Sequence, residues 1–524
     1  MNDKRYGTVI VGGGSAGAVL AARLSEDSSR EVLLVEAGPS YPPNQYPAPI
    51  ADVSTLGPFT GTDWGYVAEA GYVGHPIPLF RGKVIGGSSA VNGSVAMRAL
   101  PADFTRWSAH GINGWTYDEV IGDYIHLEST SFGDDALHGR TGPFPIHQLT
   151  RSELSETQNA FLDAAQAVGW PVNNDFNAAT TPGGVGPLPK NVVNGVRVNT
   201  GMAYLTADVR GRENLTIHPE SEVDRVIVEG SRAIGIALAD GTVIDADEVI
   251  LSAGSYGSPA ILLRSGIGPA AGLAALGIDV VADLPVGRRL QEHPTYYNAY
   301  AVLPEKAGAQ LPLIGPLAWG SSSYADVDDP DIHINATHLF LDPSQSPTGI
   351  GFVLAPSLVR PKSVGSLTLA SRDPQAAPRV DLNLLAEAED HARLIEGIRL
   401  TSEIGRTAPL AEFFHSELTP GAAAVSDAEI EAAMVATIDI YHHPTSTAPM
   451  GGPQDPHAVV DELGSVHSID GLRVVDASIF PDPPSVATGL TVIMAAEHIA
   501  RLAYRTAPSP STDGKVTGAL TPQV

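Results

Sequence analysis

The feature that most constrains this chain lies in its first 38 residues. The apolar run Thr8-Val9-Ile10-Val11 leads into Gly12-Gly13-Gly14-Ser15-Ala16-Gly17, then a helical pattern over residues 18–24. A second apolar run over residues 31–35 ends on Glu36. The pattern predicts strand, glycine turn, helix, strand and acid, the unit that binds a dinucleotide. Gly12 is expected to make the tight turn, Gly14 to admit a pyrophosphate, and Gly17 to let helix and strand pack closely. The helix start, with Ser15 and Ala16, offers N–H groups and a positive dipole end to the phosphates. Glu36, followed by Ala37, stands 19 residues past Gly17, where a carboxylate can accept hydrogen bonds from ribose hydroxyls. The same residues spell Gly13-x-Ser15-x-Gly17, but a hydrolase elbow needs sheet strands before it and only one fits here.

A chain of 524 residues exceeds one core, so two domains are expected. The fold class read from the pattern is α/β: a Rossmann-like nucleotide domain plus an α+β substrate domain built on an antiparallel sheet. The nucleotide domain is expected to be discontinuous, from residues 1–155, 196–295 and 460–506. Residues 156–195 and 296–459 would form the substrate domain, and 507–524 a disordered tail. Residues 40–115 read as extended loops and 161–168 as a short helix. Segments 215–218, 223–228, 233–238, 242–245 and 248–251 read as a β-meander, followed by a helix over 259–264. Alternation in Asp331-Ile332-His333-Ile334-Asn335 and Ser366-Leu367-Thr368-Leu369 predicts the second sheet. Helices follow at about 386–406 and 426–437. A strand at 472–475 and a helix at 490–504 complete the pattern.

The formal net charge of −28, from 31 Lys+Arg against 59 Asp+Glu, argues against nucleic-acid and anionic-membrane partners. The chain has no cysteine, which excludes disulfides and thiolate chemistry. No HExxH or comparable ligand spacing occurs, so no metal site is expected. Residues 1–5 run straight into the first strand without an apolar signal core, and a cytoplasmic location is the expectation.

Arg81-Gly82-Lys83-Val84-Ile85-Gly86-Gly87-Ser88-Ser89-Ala90-Val91-Asn92-Gly93 resembles the first signature of the glucose–methanol–choline (GMC) oxidoreductase family. Residues 254–269, beginning Gly254-Ser255-Tyr256-Gly257-Ser258-Pro259, resemble the second signature. Val286-Gly287-Arg288-Arg289-Leu290-Gln291-Glu292-His293-Pro294 is similar to a third recurring segment, and His443-Pro444-Thr445 and Val475-Asp476-Ala477-Ser478 fill the C-terminal positions. The resemblance implies FAD, a substrate domain on a mostly antiparallel sheet, and oxidation of an alcohol. By similarity Arg81, Val84, Gly86, Gly87, Ser88, Asn92, Gly93 and Val95 would lie along the flavin. Val223 would bracket the adenine, and Ala253, Gly254, Asp476, Ala477 and Thr488 would run beside the dinucleotide. Some members attach the flavin through a histidine just before the Asn of the first signature. Here Val91 holds that place, so noncovalent FAD is expected.

His443 falls on the family's catalytic position, and histidine suits a base because its pKa lies near working pH. His442 is expected to give packing or polar support on the substrate side, since neighbours on an extended chain point opposite ways. His293 and His415 are expected to be structural. The family's second catalytic residue, His or Asn, maps onto Ala487, and Gly489 replaces another polar position. Three readings follow: His443 acts alone, as in some relatives; the substrate domain supplies the missing hydrogen bond; or the chemistry differs. The expected activity is FAD-dependent oxidation of a primary or aromatic alcohol to the aldehyde, with His443 as base and flavin N5 as hydride acceptor. A cyanohydrin (hydroxynitrile) lyase is the alternative, because such lyases share this scaffold, although they would be expected to keep a polar residue at position 487. The electron acceptor would be O2 or another carrier.

Overall fold

The computed structural model describes residues 5–178, 183–326, 328–340 and 342–504. The expected tail at 507–524 lies outside the described residues.

Five strands form a parallel sheet in the spatial order Leu215–His218, Val32–Val35, Tyr6–Val11, Val243–Leu251, Leu472–Val474. Residues 9–11, 32–35 and 249–251 at its centre are continuously apolar because helices and loops cover both faces, and Val9, Ile10, Leu34, Val249 and Ile250 are fully buried. The helices Gly17–Leu24 and Thr488–Tyr504 pack against each other. A two-pronged ion pair joins them: Arg23 Nε and Nη2 donate to the Glu497 carboxylate at 2.7 and 2.8 Å.

The expected meander over 215–251 is corrected in two ways. Leu215–His218 pairs with Val32–Val35 in the parallel sheet, not with the strands that follow it. Segments 242–245 and 248–251 belong to one strand, Val243–Leu251. Its first residues pair antiparallel with Arg232–Leu238, and from Ala246 onward it pairs parallel with Tyr6–Val11. The polar residues Asp245 and Asp247 mark the change of partner, where the strand is only half covered.

A second sheet of eight strands is antiparallel throughout. Its main order is Phe414–Thr419, Asn298–Val302, Gly351–Leu358, Ile332–Thr337, Ile314–Gly320, Gly184–Pro187, with Pro294–Thr295 and Asp439–Ile440 at one side. Helix Ala388–Gly405 packs on the strands Gly351–Leu358 and Ile332–Thr337. Side chains alternate across a strand, so Ile332, Ile334 and Ala336 are fully buried while Asn335 and Thr337 line a cavity on the other face. Ser366–Thr368 does not join this sheet; it pairs with Arg379–Asp381 in a ribbon of its own.

Several helices are longer than, or missing from, the sequence-based expectation. Residues 40–115 are mostly irregular but contain helix Pro101–Ser108. Helix Tyr117–Leu127 starts on a capping box, with Glu119 Oε2 accepting from Thr116 N and Oγ1 at 2.9 and 2.7 Å. The helix expected at 161–168 spans Glu156–Ala167, because Ser155 and Gln158 cap it reciprocally. The helix expected from Pro259 begins at Gly254. Pro259 has no N–H to give the Ser255 carbonyl four residues back; that carbonyl accepts instead from Thr447 Oγ1 at 2.8 Å. Ser255 Oγ donates to the Pro444 carbonyl at 2.6 Å. The proline thus frees a group that ties this helix to the segment carrying His443.

Candidate active site

Strands of a parallel sheet bind ligands beyond their carboxyl ends. Val11, Val35 and Leu251 are in register, and Leu251 pairs with Val474. Just beyond these residues come Gly12, Glu36, Ser252 and Val475. Four separate stretches of sequence therefore meet along one crevice. Gly12 has φ +96°, and a Cβ on Gly17 would sit 1.8 Å from the Gly12 carbonyl oxygen. No larger residue fits at Gly17.

Glu36 is buried, and its carboxylate accepts from Gly13 N and Gly38 N, each at 2.8 Å. Burial pushes its pKa above the usual carboxylate range, and those two N–H groups oppose the shift. Asp476 holds the crevice together: Oδ2 accepts from Gly254 N at 2.8 Å and Ser258 Oγ at 2.6 Å, and Oδ1 from Ser478 N at 2.9 Å and Ser478 Oγ at 2.5 Å. Its oxygens accept from two backbone N–H groups and two serine hydroxyls of the protein itself.

The crevice opens into a cavity of about 810 Å³ that reaches the antiparallel sheet. Of the residues expected along the cofactor, Gly17, Val84 and Gly86 stand behind the wall. The other eighteen line it, from Gly12, Gly14, Ser15 and Ala16 past Glu36 and Ala37 to Asn92, Ala253 and Thr488. Val84 packs with Tyr46, Ile50, Ala90 and Val91, and a Cβ on Gly86 would meet Asn199 Oδ1 at 2.6 Å. The residues before helix Gly17–Leu24 and the first residues of helix Thr488–Tyr504 both face the cavity, bringing two positive dipole ends to it. Donors at the crevice and an elongated cavity fit a dinucleotide carrying an anionic pyrophosphate and a flavin ring.

At the far end, segments 291–295 and 439–445 run antiparallel. Tyr441 N donates to the His293 carbonyl at 2.9 Å, and Thr445 N to the Gln291 carbonyl at 3.0 Å. Glu292 clamps the two segments: its Oε1 accepts from His293 N at 2.8 Å and His443 N at 2.6 Å. Fully buried, this carboxyl is pushed up to about 8, against the opposing pull of Arg81. The clamp brings His443 Nδ1 to 3.1 Å from His293 Nδ1, with the rings edge to face at 5.2 Å. Burial holds His443 well below the ordinary histidine range, and the neighbouring His293 ring and Arg81 add to the effect. Burial likewise takes His293 down to about 3.

One expectation changes here, that for His442, while His293, expected to be structural, lies against the candidate base. His442 does not follow the alternation of an extended chain: its φ is +63°, and both His442 and His443 line the cavity. The His442 ring packs on Phe80 at 5.3 Å, and its carbonyl accepts from Arg81 Nη2 at 2.8 Å. Sequence reasoning also passed over Asn335 and Tyr441, which line the cavity near His443. Asn335 was legible only as an alternating polar position in a strand, and Tyr441 only as a neighbour of the His442-His443 pair. Ala487 lies where expected, at the cavity beside Thr488, and presents only a methyl group. His415 is exposed beside Ser416.

A parallel nucleotide-binding sheet, an antiparallel substrate sheet and a buried histidine where the two meet define a two-domain flavin-dependent oxidoreductase. The GMC oxidoreductase models match residues 6–295 and 361–496, and the chain belongs to the GMC family as an FAD-dependent alcohol oxidoreductase. It is 36% identical to the 5-(hydroxymethyl)furfural oxidase of a Methylovorus species, over 95% of this chain and 99% of the relative. It is 33% identical to an oxygen-dependent choline dehydrogenase of Photobacterium profundum, over 97% and 94%. Among solved structures, pyridoxine 4-oxidase from Mesorbium loti superposes with a TM-score of 0.87 at 33% identity, covering 95% of this chain and 99% of that one. Among the described residues no helix is long and apolar enough to cross a membrane.

Proposed function

We propose that the chain oxidises a primary or aromatic alcohol to the aldehyde, with His443 Nε2 as the base that takes the hydroxyl proton. The Nδ1···Nδ1 contact between His443 and His293 carries this reading. Two nitrogens at that distance need one proton between them. With the proton on His443 Nδ1, donated to His293 Nδ1, His443 keeps its lone pair on Nε2, the nitrogen left for the cavity. His293 then carries its own proton on Nε2. When His443 takes the alcohol proton it becomes a cation, and the neutral His293 Nδ1 accepts the strengthened hydrogen bond. FAD, when bound, supplies the two-electron acceptor for the carbinol hydride.

The substrate end is lined by Ile314, Leu339, Phe340, Val353 and Leu418, which exclude water and suit a hydrophobic or aromatic body. The named substrates of the relatives, a hydroxymethylfuran, a pyridoxine and choline, are primary alcohols, the first two aromatic, and support the same class. Val91, a buried aliphatic residue on the cavity wall, offers no nucleophile to the flavin, and we propose noncovalent FAD.

Anaerobic mixing of the yellow holoenzyme with a panel of aromatic and aliphatic primary alcohols is expected to bleach the flavin band, fastest with the aromatic members. Absence of bleaching with every alcohol would refute the reading. A lyase on the same scaffold would consume its substrate with the flavin still oxidised, so the same trace separates the two chemistries.

A further inference from the structure

The proposed function leaves the substrate oxygen with a base but without a second hydrogen-bonding group, since Ala487 has none. Resting on that reading, we propose that Asn335 and Tyr441, acting as a pair, donate the missing hydrogen bond to the substrate oxygen.

Asn335 sits on the cavity face of strand Ile332–Thr337, opposite the residues that meet helix Ala388–Gly405. Its Nδ2 donates to the Tyr441 phenol oxygen. Its Oδ1 is buried without a protein partner. Burial raises the Tyr441 pKa, so the phenol keeps its proton at any working pH. Buried polar groups of this kind are normally satisfied, and an orphan points to a missing ligand.

The proton count of the pair leaves a donor free in either amide orientation. With Nδ2 donating to the phenol oxygen, the phenol O–H is unspent. With the amide reversed, the O–H donates to Oδ1 and the two N–H groups are unspent. Tyr441 is two residues from the base, its ring 4.5 Å from that of His443 between centroids, and both line the same cavity. An alcohol whose O–H points at His443 Nε2 therefore has a donor from the pair within the same wall. In the reaction the hydroxyl proton goes to Nε2. The pair keeps all its protons and only shares one with the oxygen as negative charge develops there, the arrangement that gives a preorganised donor its effect.

The test uses holoenzyme variants Asn335→Val, Tyr441→Phe, the double variant, and Ala487→Asn added to the double variant, with His443→Gln as control. Flavin content and Tm are measured beside the anaerobic rate of flavin reduction and the alcohol Kd. Each single variant is expected to slow reduction about ten- to a hundredfold with Kd changed far less. The double variant should be little worse than the slower single, because the two act as a unit, and Ala487→Asn should recover part of the loss. A residue that merely packs would lower flavin content or Tm without this rate-to-Kd split, and that result overturns the proposal. If Tyr441→Phe fails to hold flavin, Asn335→Val decides alone. Wild-type rates in flavin-loaded Asn335→Val, with His443→Gln inactive, would overturn the pair and spare the function. No reduction of the wild-type enzyme by any alcohol would overturn the function itself.

Discussion

Replacing His293 by phenylalanine isolates the role assigned to the contact between the two histidines. The ring is kept, so the edge-to-face packing on His443 at 5.2 Å is kept, while the Nδ1 acceptor 3.1 Å from His443 is lost. The His443 Nδ1–H is then buried with no acceptor. An unsatisfied buried donor costs about 1–3 kcal/mol, and a hydrogen bond to a charged group is worth about 1.5–3 kcal/mol. The first cost falls on the resting enzyme and shifts the proton toward Nε2, which removes the base. The second is lost as His443 becomes a cation during reduction. At about 1.4 kcal/mol per tenfold, the two together, about 2.5–6 kcal/mol, slow flavin reduction by about 10²- to 10⁴-fold. The assay is single-turnover bleaching in anaerobic stopped flow, with flavin content confirming an intact cofactor site. His293→Asn, whose side-chain carbonyl can accept from Nδ1, should recover part of the rate. Reduction of the phenylalanine variant within twofold of wild type would refute the tautomer argument.

Other outcomes follow from the same structure. As the proposed base His443 would work unprotonated, and its pKa is held below the ordinary histidine value, so the reduction rate should stay level as pH falls through about 6.5 and decline only below it; an acid limb at or above that pH contradicts this. Glu292 ionises at about 8 in the fold against 4.5 for the free side chain. Native protein therefore holds a proton that unfolded chain has lost, and stability falls as pH rises from 4.5 to about 8. Glu292→Gln, neutral throughout, should show a Tm advantage that grows across that window; a constant Tm difference would refute it. Acid precipitation should release all the flavin and leave a colourless pellet, and a yellow pellet would contradict noncovalent attachment at a site walled by Val91. Gly17→Ala drives a Cβ into the Gly12 carbonyl and should give protein without flavin, or none folded, as the absorbance ratio of purified material will show.

The nucleotide crevice was legible in the sequence because its physics is local: Gly12, Gly17 and Glu36 lie within one strand–turn–helix–strand unit. Strand Val243–Leu251 was misread as two because it serves two sheets, and the change from antiparallel to parallel partners falls on its polar residues. Pro259 was read as a helix start, yet the carbonyl it frees is satisfied by Thr447, 192 residues away in sequence. The contact of His293 with His443 was illegible for the same reason. Only the pairing of 291–295 with 439–445 and the Glu292 clamp bring the two rings together, across a separation of 150 residues. The vacancy at Ala487 could be counted from the sequence. The pair Asn335 and Tyr441, which lines the same cavity, could not, since the two residues are 106 apart in sequence and meet only in the fold.

The most direct test of the central claim is the anaerobic rate of flavin reduction by an aromatic primary alcohol in wild type and in His443→Ala, at equal flavin content. A general base contributes about 10²- to 10⁴-fold, and the account predicts a loss in that range. A His443→Ala rate within a few-fold of wild type would contradict it.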